Sequence, residues 1–450
     1  MPTEVPKLLV DRYDRAGPRY TSYPTANVFE ESFGADAYAA ALRRLGASGR
    51  PVSLYTHLPF CRSLCHYCAC NVVITSRPDA PGRYLDALEL ELDLVCAELG
   101  GRVPVAEIHL GGGTPTLFRV TELERLYDIL AARFDLSGAE ALAVEIDPRV
   151  TSKAQLATLA NLGWNRASFG VQDFDPEVQW AINRVQPLEQ TESLITAARE
   201  LGYQGINVDL IYGLPQQSLE GFSATLQNVI RIRPERVALY SYAHVPWMRP
   251  AQRRFEKPGY RLPTADEKVA LFLSAVAAFE AAGYVHLGMD HFALPSDELA
   301  VAQARGELHR NFQGYAVQRA DDLLALGMSA ISDLGGVFAQ NAKDLPEYEE
   351  AVRSGKLATV RGWELSKEDQ RRRRAIMALM SGRGLTAEEA RAFVSEVGQL
   401  EPLERDGLVR LIDGAVEVTP LGKFFLRNVA MPFDAYLQSR SEQPLFSRTV

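Results

Sequence analysis

The chain has 450 residues, 47% hydrophobic and 23% charged, a composition that excludes an intrinsically disordered protein and leaves room for two or three domains. A formal charge of −9 argues against general affinity for nucleic acid or an anionic membrane. The N-terminal Met-Pro-Thr-Glu-Val-Pro-Lys lacks a secretory pattern, and the best apolar stretch, Leu271 to Ala282, contains Glu280 and is too short to span a bilayer. The expectation is a cytoplasmic protein with reduced thiols. Five cysteines are few, yet Cys61, Cys65, Cys68 and Cys70 fall within ten residues, with Cys96 apart. In a reducing compartment such crowding points to a metal or redox site rather than a disulfide framework.

The first elements belong to an N-terminal arm, residues 1–50, where Gly17-Pro-Arg-Tyr-Thr-Ser-Tyr-Pro-Thr25 has turn residues and aromatics but no period, as in a segment that packs on the body. Six strands are then predicted, at Pro51 to His57, Val105 to Leu110, Ala141 to Ile146, Arg166 to Val171, Gly205 to Ile211 and Arg236 to His244. A further short run, Tyr284 to Gly288, is a candidate seventh. Helical periodicity fills the intervals: Arg83 to Leu99, Glu122 to Phe134, Ser152 to Leu162, Leu188 to Leu201, Leu219 to Ile232 and Ala265 to Ala282. Cys96 falls on the apolar face of the first of these. Alternating β and α units predict an α/β protein, an incomplete TIM-type (β/α)6 barrel over residues 51–290. Residues 291–362 read as a barrel extension and connector, and 363–450 as a small, mainly helical, winged-helix-like C-terminal domain. There, Ser366 with Asp369 and Thr386 with Glu389 form capping boxes, and Asp413-Gly414 centres a type I′ hairpin over Leu408 to Val418. The run Arg371 to Arg374 reads as a solvated helix face.

Residues that carry chemistry gather where the predicted strands end: the cysteines after the first, Gly111-Gly112-Gly113-Thr114 after the second, Glu145 and Asp147 on the third, Gln172 and Asp173 on the fourth, Asp209 on the fifth, Tyr242 to His244 on the sixth. Parallel barrels build their active sites at that end. Cys61-Arg-Ser-Leu-Cys65-His-Tyr-Cys68 is CxxxCxxC, whose three thiolates suit three corners of a [4Fe-4S] cube. Zinc is the alternative, with His66 and Cys70 as completing ligands, although common zinc patterns need a second ligand pair farther along the chain. Taken singly, the glycines could be a turn, Glu145 and Asp209 helix caps, Tyr55 and Tyr67 packing residues, and His57 a core or orienting residue.

CxxxCxxC after one strand and a glycine triplet after the next resemble the radical S-adenosylmethionine enzymes. Tyr55-Thr-His-Leu-Pro-Phe-Cys61, Cys68-Ala-Cys70, His109 to Thr116, Glu145 to Arg149, Ser168 to Phe174, Asn183-Arg184, Val208 to Pro215, Gly288-Met-Asp-His-Phe292, His309 to Tyr315 and the ending Phe446 to Val450 narrow this to a resemblance to the oxygen-independent coproporphyrinogen III oxidases over nearly the whole chain. The resemblance implies Cys61, Cys65 and Cys68 as [4Fe-4S] ligands, and Tyr55, Tyr67, Gly112 and Glu145 around a first S-adenosyl-L-methionine. A second molecule is implied at Gly113, Thr114, Gln172, Arg184, Asp209, Ala243 and Ile331. Cys70 and His57 are its candidate catalytic residues.

The implied reaction is anaerobic oxidative decarboxylation of coproporphyrinogen III to protoporphyrinogen IX in haem biosynthesis, by an oxidoreductase that makes a 5′-deoxyadenosyl radical. It implies a low-potential electron donor such as flavodoxin or ferredoxin, a separate acceptor, neither nucleic acid nor membrane as partner, and a monomer. Two branches of the superfamily are alternatives. Cys70 and the long C-terminal region count against a haem chaperone, and the Tyr-Pro-Thr arm with the His309 to Tyr315 segment counts against a haem-degrading methyltransferase.

Overall fold

The computed structural model describes residues 5–311, 314–317, 319–437 and 446–449. Met1 to Glu4, Phe312, Gln313 and Val450, on which parts of the reading above fall, lie outside the described residues.

Six parallel strands carry the barrel: β1 (Val52–Leu58), β2 (Val105–Gly112), β3 (Ala141–Ile146), β4 (Arg166–Gln172), β5 (Gly205–Tyr212) and β6 (Arg236–Ser241). All six begin and end within a few residues of the sequence-based expectation. The sixth stops at Ser241, so Tyr242 to His244 lie on the loop beyond it rather than on the strand. The candidate seventh run forms β7 (Val285–Gly288), which pairs antiparallel with β8 (His291–Ala293) and through it with β6. The hairpin of β9 (Leu308–Asn311) and β10 (Gly314–Val317) follows. The connector then returns to the opposite edge: β11 (Asp322–Leu326) runs parallel to β1, and β12 (Ile331–Leu334), β13 (Val337–Asn341) and β14 (Thr359–Glu364) continue the sheet antiparallel. The result is one twelve-stranded sheet in the order β14-β13-β12-β11-β1-β2-β3-β4-β5-β6-β8-β7. Single-sequence periodicity missed the β11 to β14 additions because their partner strands are hundreds of residues away or are one another.

Alternation along the strands sorts chemistry by face. Leu54, Ile108, Val144, Phe169, Val208 and Leu239 point outward and join the helices in one continuous core. The other register places Tyr55 beside His109, Glu145 beside Ser168, and Gly170 beside Asp209. The barrel is therefore lined with polar groups around a cavity of about 190 Å³ that includes Glu145, Ser168, Asn207, Asp209, Tyr240 and His291. Ion pairs cross the opposite, N-terminal end: Arg236 to Asp297 at 2.8 Å, Arg166 to Glu298 at 3.1 Å and Arg319 to Glu107 at 3.7 Å.

A second core is built by the C-terminal segment, with Ile376, Leu379, Phe393, Leu408, Phe425 and Phe433, and it takes in Leu9, Tyr13, Tyr20 and Tyr23 of the arm. The first part of the arm thus packs into the C-terminal domain, whereas its helix Ala35–Ser48 places Tyr38, Ala41, Leu42 and Leu45 in the main core. Both capping boxes form, and the hairpin of β15 (Val409–Ile412) and β16 (Ala415–Val418) turns through Asp413 and Gly414, both at positive φ as a type I′ turn requires. The arginine run is not uniformly solvated. Arg372 pairs with Glu396 at 2.7 Å, and Arg373 pairs with Asp333 on β12, which ties the C-terminal domain to the large sheet.

Candidate active site

The cysteine loop leaves β1 through Pro59 and is closed at its base by a two-residue parallel pair, Phe60–Cys61 with Val73–Ile74. Its inner turn is held by the Cys68 N–H donating to the Cys65 carbonyl at 3.0 Å, and the His66 N–H donates to the Ile182 carbonyl at 2.9 Å. Cys65 is buried, while Cys61 and Cys68 are half-buried and Cys70 is exposed. Around Cys65 the structure gathers positive charge. Arg149 Nη2 lies 3.4 Å and Arg184 Nη1 3.6 Å from its Sγ, and Asp147 takes 2.7 Å and 3.2 Å ion pairs from the same two guanidiniums. Thr114 Oγ1 is 3.4 Å from Cys61 Sγ, and the Cys70 N–H donates to Cys68 Sγ at 3.4 Å.

The residues fit an iron–sulfur cube better than a single metal ion. Among the described residues no three His, Cys, Asp or Glu side chains converge on one point that would hold an ion. A cube places each thiolate on a separate iron, so its ligands need not converge. Two guanidiniums against the Cys65 sulfur also suit a site that must hold several negatively charged thiolate ligands. Arg184 Nε is buried with no hydrogen-bond partner, leaving a donor for an acceptor from a bound molecule.

Beside the cysteines, the glycine triplet is forced by close approach. A Cβ on Gly112, at φ +110, would lie 2.6 Å from the His57 ring, and one on Gly113 would lie 2.6 Å from the Pro59 carbonyl. The Gly112 N–H donates to Glu145 Oε2 at 3.3 Å, and His109 Nε2 stands 3.3 Å from Oε1 of the same carboxylate. Glu145 keeps 42% of its side chain exposed, so it is oriented by the protein yet open to a ligand's hydroxyls or ammonium. Tyr55 donates its hydroxyl to His57 Nδ1 at 3.1 Å, and His57 Nε2 donates to the Asn71 carbonyl at 2.9 Å, because a carbonyl can only accept. Burial holds the imidazole below its ordinary pKa. With both nitrogens engaged and the ring neutral, His57 positions Tyr55 and the glycine loop.

The remaining expected residues spread around the same mouth. Gln172 ends β4 in the left-handed region at φ 69, beside the buried Asp173. Asp209 accepts from Ser168 Oγ at 2.8 Å and Asn207 Nδ2 at 2.8 Å, and burial pushes its pKa up to about 6. Ala243 follows β6, and Ile331 begins β12 just past a turn whose Gly327 presses against the His57 carbonyl. The Tyr67 side chain, on the cysteine loop, packs among the apolar group of Val178, Ile182, Leu214 and Phe255. Cys96 rests half-buried against the main core, far in sequence from the other thiols and without a part in the site.

Sequence reasoning gave no role to the Asp147–Arg149 pair, the acid–base partners set around Cys65. It also passed over a buried triad in which Asp290 accepts from His291 Nδ1 at 2.8 Å and from Arg310 Nη1 at 3.4 Å, with the guanidinium 4.7 Å over the Tyr315 ring. The Glu145-Ile-Asp-Pro-Arg149 and Asp290-His291 strings carried the signal, but their partners come from other strands.

Partial parallel barrel, three thiols on the β1 loop and a ligand-ready glycine–carboxylate edge define a radical S-adenosylmethionine enzyme, and residues 55–229 match the Radical SAM superfamily. Residues 365–425 match the HemN C-terminal domain. The chain is 41% identical to the oxygen-independent coproporphyrinogen III oxidase of Escherichia coli (strain K12), with 98% of each chain covered. It is 39% identical to the protein so named from Synechocystis, covering 98% of this chain and 97% of that one. The solved structure described as "Coproporphyrinogen III oxidase (HemN) from Escherichia coli is a Radical SAM enzyme" superposes with a TM-score of 0.90 at 40% identity, covering 96% of this chain and 99% of that one. The chain belongs to the oxygen-independent coproporphyrinogen III oxidase family, and its cofactors are a [4Fe-4S] cluster and S-adenosyl-L-methionine.

Proposed function

We propose that this chain converts two propionate side chains of coproporphyrinogen III to vinyl groups, forming protoporphyrinogen IX without oxygen. The observation that carries the reading is the meeting, at one mouth of the barrel, of the Cys61, Cys65 and Cys68 loop with the Gly112–Glu145 edge. When bound, the cluster supplies an electron and S-adenosyl-L-methionine supplies the 5′-deoxyadenosyl radical that removes a hydrogen atom from the propionate β-carbon. Each propionate then gives up carbon dioxide and one electron to an external acceptor, leaving the vinyl group. Two such events call for two S-adenosyl-L-methionine molecules per substrate.

The chain's own groups hold and orient. Cys61, Cys65 and Cys68 ligate iron, and Arg149 and Arg184 balance the charge at Cys65. Gly112, Glu145 and Tyr55, steadied by His57, frame the first S-adenosyl-L-methionine, with Tyr67 completing that set on the cysteine loop. The second set is Gly113, Thr114, Gln172, Arg184, Asp209, Ala243 and Ile331, where the unpartnered Arg184 Nε offers a donor to a carboxylate. Cys70, exposed beside Cys68, is the candidate for passing an electron or proton, a role supported by its nearness to the cluster ligands. The donor of the reducing electron is a low-potential carrier such as flavodoxin or ferredoxin, the acceptor is a separate molecule, and the working unit is a cytoplasmic monomer. Among the described residues no helix is long and apolar enough to cross a membrane.

The test is anaerobic turnover of the reconstituted protein with reductant, S-adenosyl-L-methionine and coproporphyrinogen III, following carbon dioxide, deoxyadenosine and porphyrin products. Vinyl products with matching carbon dioxide are expected, and deoxyadenosine without decarboxylation would overturn the assignment. A Cys65→Ala variant should lose the [4Fe-4S] signal in electron paramagnetic resonance; retention of a normal signal would show the ligand set to be wrong.

A further inference from the structure

Three cations from three separate elements meet around the tail of the cysteine loop. Arg249, in the segment after β6, donates to the Ala69 carbonyl. Lys343, two residues beyond β13, accepts on its carbonyl from Asn71 Nδ2 at 2.9 Å. The exposed Cys70 sits between those two contacts. Arg361 stands on β14. Ile331, Gln340 and Arg361 are successive partners across β12, β13 and β14, so Arg361 is in line with Ile331 and two strand spacings, roughly 10 Å, away.

Among the described residues none of the three makes an ion pair. The Lys343 ammonium makes no hydrogen bond there, Arg249 donates only to Ala69, and Arg361 donates only through Nε, to Gln340 Oε1 at 2.6 Å. Two carboxylates stand nearby. Asp344 is committed as the N-cap of the helix Leu345–Arg353, accepting from the Glu347 N–H at 3.3 Å, and Glu31 acts on Arg361 through space only. Burial and the positive charge of Arg361 and Arg249 hold Lys343 below its ordinary pKa, so the three share one field that an entering anion would relieve. The surface beside them is apolar. The Arg361 guanidinium lies 5.9 Å over the Phe29 ring, and Phe29 packs with Val28, Phe338 and Leu365, with Ile331 against the same group. In a chain of net charge −9, an apolar face edged by uncommitted cations suits a ligand that is itself an apolar plate with carboxylates at its edge.

We propose that Arg249, Lys343 and Arg361 form a carboxylate subsite at the rim of the mouth that takes a propionate of the tetrapyrrole and so sets the macrocycle beside Cys70. The inference rests on coproporphyrinogen III being the substrate. Its consequence is that the β12 to β14 extension, which lies outside the six parallel barrel strands, takes part in substrate recognition. The methionyl carboxylate of S-adenosyl-L-methionine offers the same chemistry, so the test separates the two.

The reconstituted holoenzyme is titrated anaerobically with coproporphyrin III and with its uncharged tetramethyl ester, followed by fluorescence, and with S-adenosyl-L-methionine, followed by calorimetry. Lys343→Met and Arg361→Gln should each weaken coproporphyrin III binding about tenfold and leave the ester and S-adenosyl-L-methionine affinities unchanged, and Lys343→Arg should keep the wild-type value. Thermal unfolding of each variant separates lost binding from lost folding. Lys343 is exposed, so its replacement keeps the comparison valid if Arg361→Gln is unstable. Unchanged coproporphyrin III affinity in both neutral variants, or equal weakening of acid and ester, would overturn the subsite. A loss of S-adenosyl-L-methionine affinity in place of coproporphyrin III affinity would overturn it too, by giving the cations to the cofactor. Failure of the wild-type holoenzyme to bind coproporphyrin III at all would instead overturn the substrate reading, and the subsite with it.

Discussion

Gly112 shows how one missing side chain serves two needs. Its φ of +110 is a conformation that L side chains rarely adopt, and the His57 ring fills the space a Cβ would occupy. Its N–H can then reach Glu145, and the edge of β2 stays open for a ligand to approach. Gly112→Ala is expected to cost roughly 1–3 kcal/mol of folding stability from backbone strain and to abolish measurable S-adenosyl-L-methionine binding. Thermal unfolding and isothermal titration check the two parts, and normal binding would show that the close approach is dispensable. Such residues were legible in the sequence because glycine and cysteine announce themselves in contiguous strings. Asp147 and Arg149 were not, since their work depends on Cys65, 84 residues from Arg149, and Arg184 was named only for a second S-adenosyl-L-methionine, not for its place against Cys65, 119 residues away.

At the scale of elements, Glu91 joins the helix Ala80–Leu99 to the turn after β11. Its buried carboxylate accepts from the Gly327 N–H at 2.7 Å, Tyr348 Oη at 2.7 Å and Asn341 Nδ2 at 2.6 Å. That turn abuts the His57 carbonyl, so the anchor supports the mouth of the site. Burial pushes Glu91 up to about 7. An acid whose folded pKa is raised binds its proton more tightly in the native state. Its favourable term is therefore fully present below the ordinary carboxyl range and is lost as pH rises through about 7. Glu91→Gln would set an amide NH2 against the Gly327 N–H and should destabilise by about 1–3 kcal/mol. Urea unfolding should show a larger deficit at pH 5 than at pH 8, and an equal deficit at both would contradict the shifted carboxyl. The helix was legible from its apolar spacing, but its anchor was not, because residues 327 to 348 read only as connector until β11 to β14 joined the sheet.

Across the whole molecule, the arm and the C-terminal domain, which share the second core, are joined by a few buried polar links. Arg427 binds the carbonyls of the arm and of the chain terminus together, and Tyr20 donates to Asp434 at 3.0 Å across the same seam. A buried guanidinium shared by four carbonyls ties the two segments together, and losing it removes a donor from each, the Ser447 carbonyl alone keeping the Gly17 N–H at 3.1 Å among the described residues. Arg427→Met should therefore raise amide exchange in residues 15–20 at least tenfold and leave β1 to β6 protected, as read by hydrogen–deuterium exchange. Unchanged protection of the arm would show that packing of Tyr13, Tyr20 and Tyr23 suffices to hold it.

The sequence by itself determined the alternating α/β barrel, the three thiols and the glycine edge, because each depends on residues within a strand, a helix or a loop. Strand periodicity and the CxxxCxxC spacing are local properties that survive without knowledge of neighbours. Tertiary structure alone decided the twelve-strand sheet, the charge balance at Cys65 and the Asp290–His291–Arg310 triad. Those arise where burial removes water and brings together residues distant in sequence, as Val52 with Asp322, so no local pattern records them.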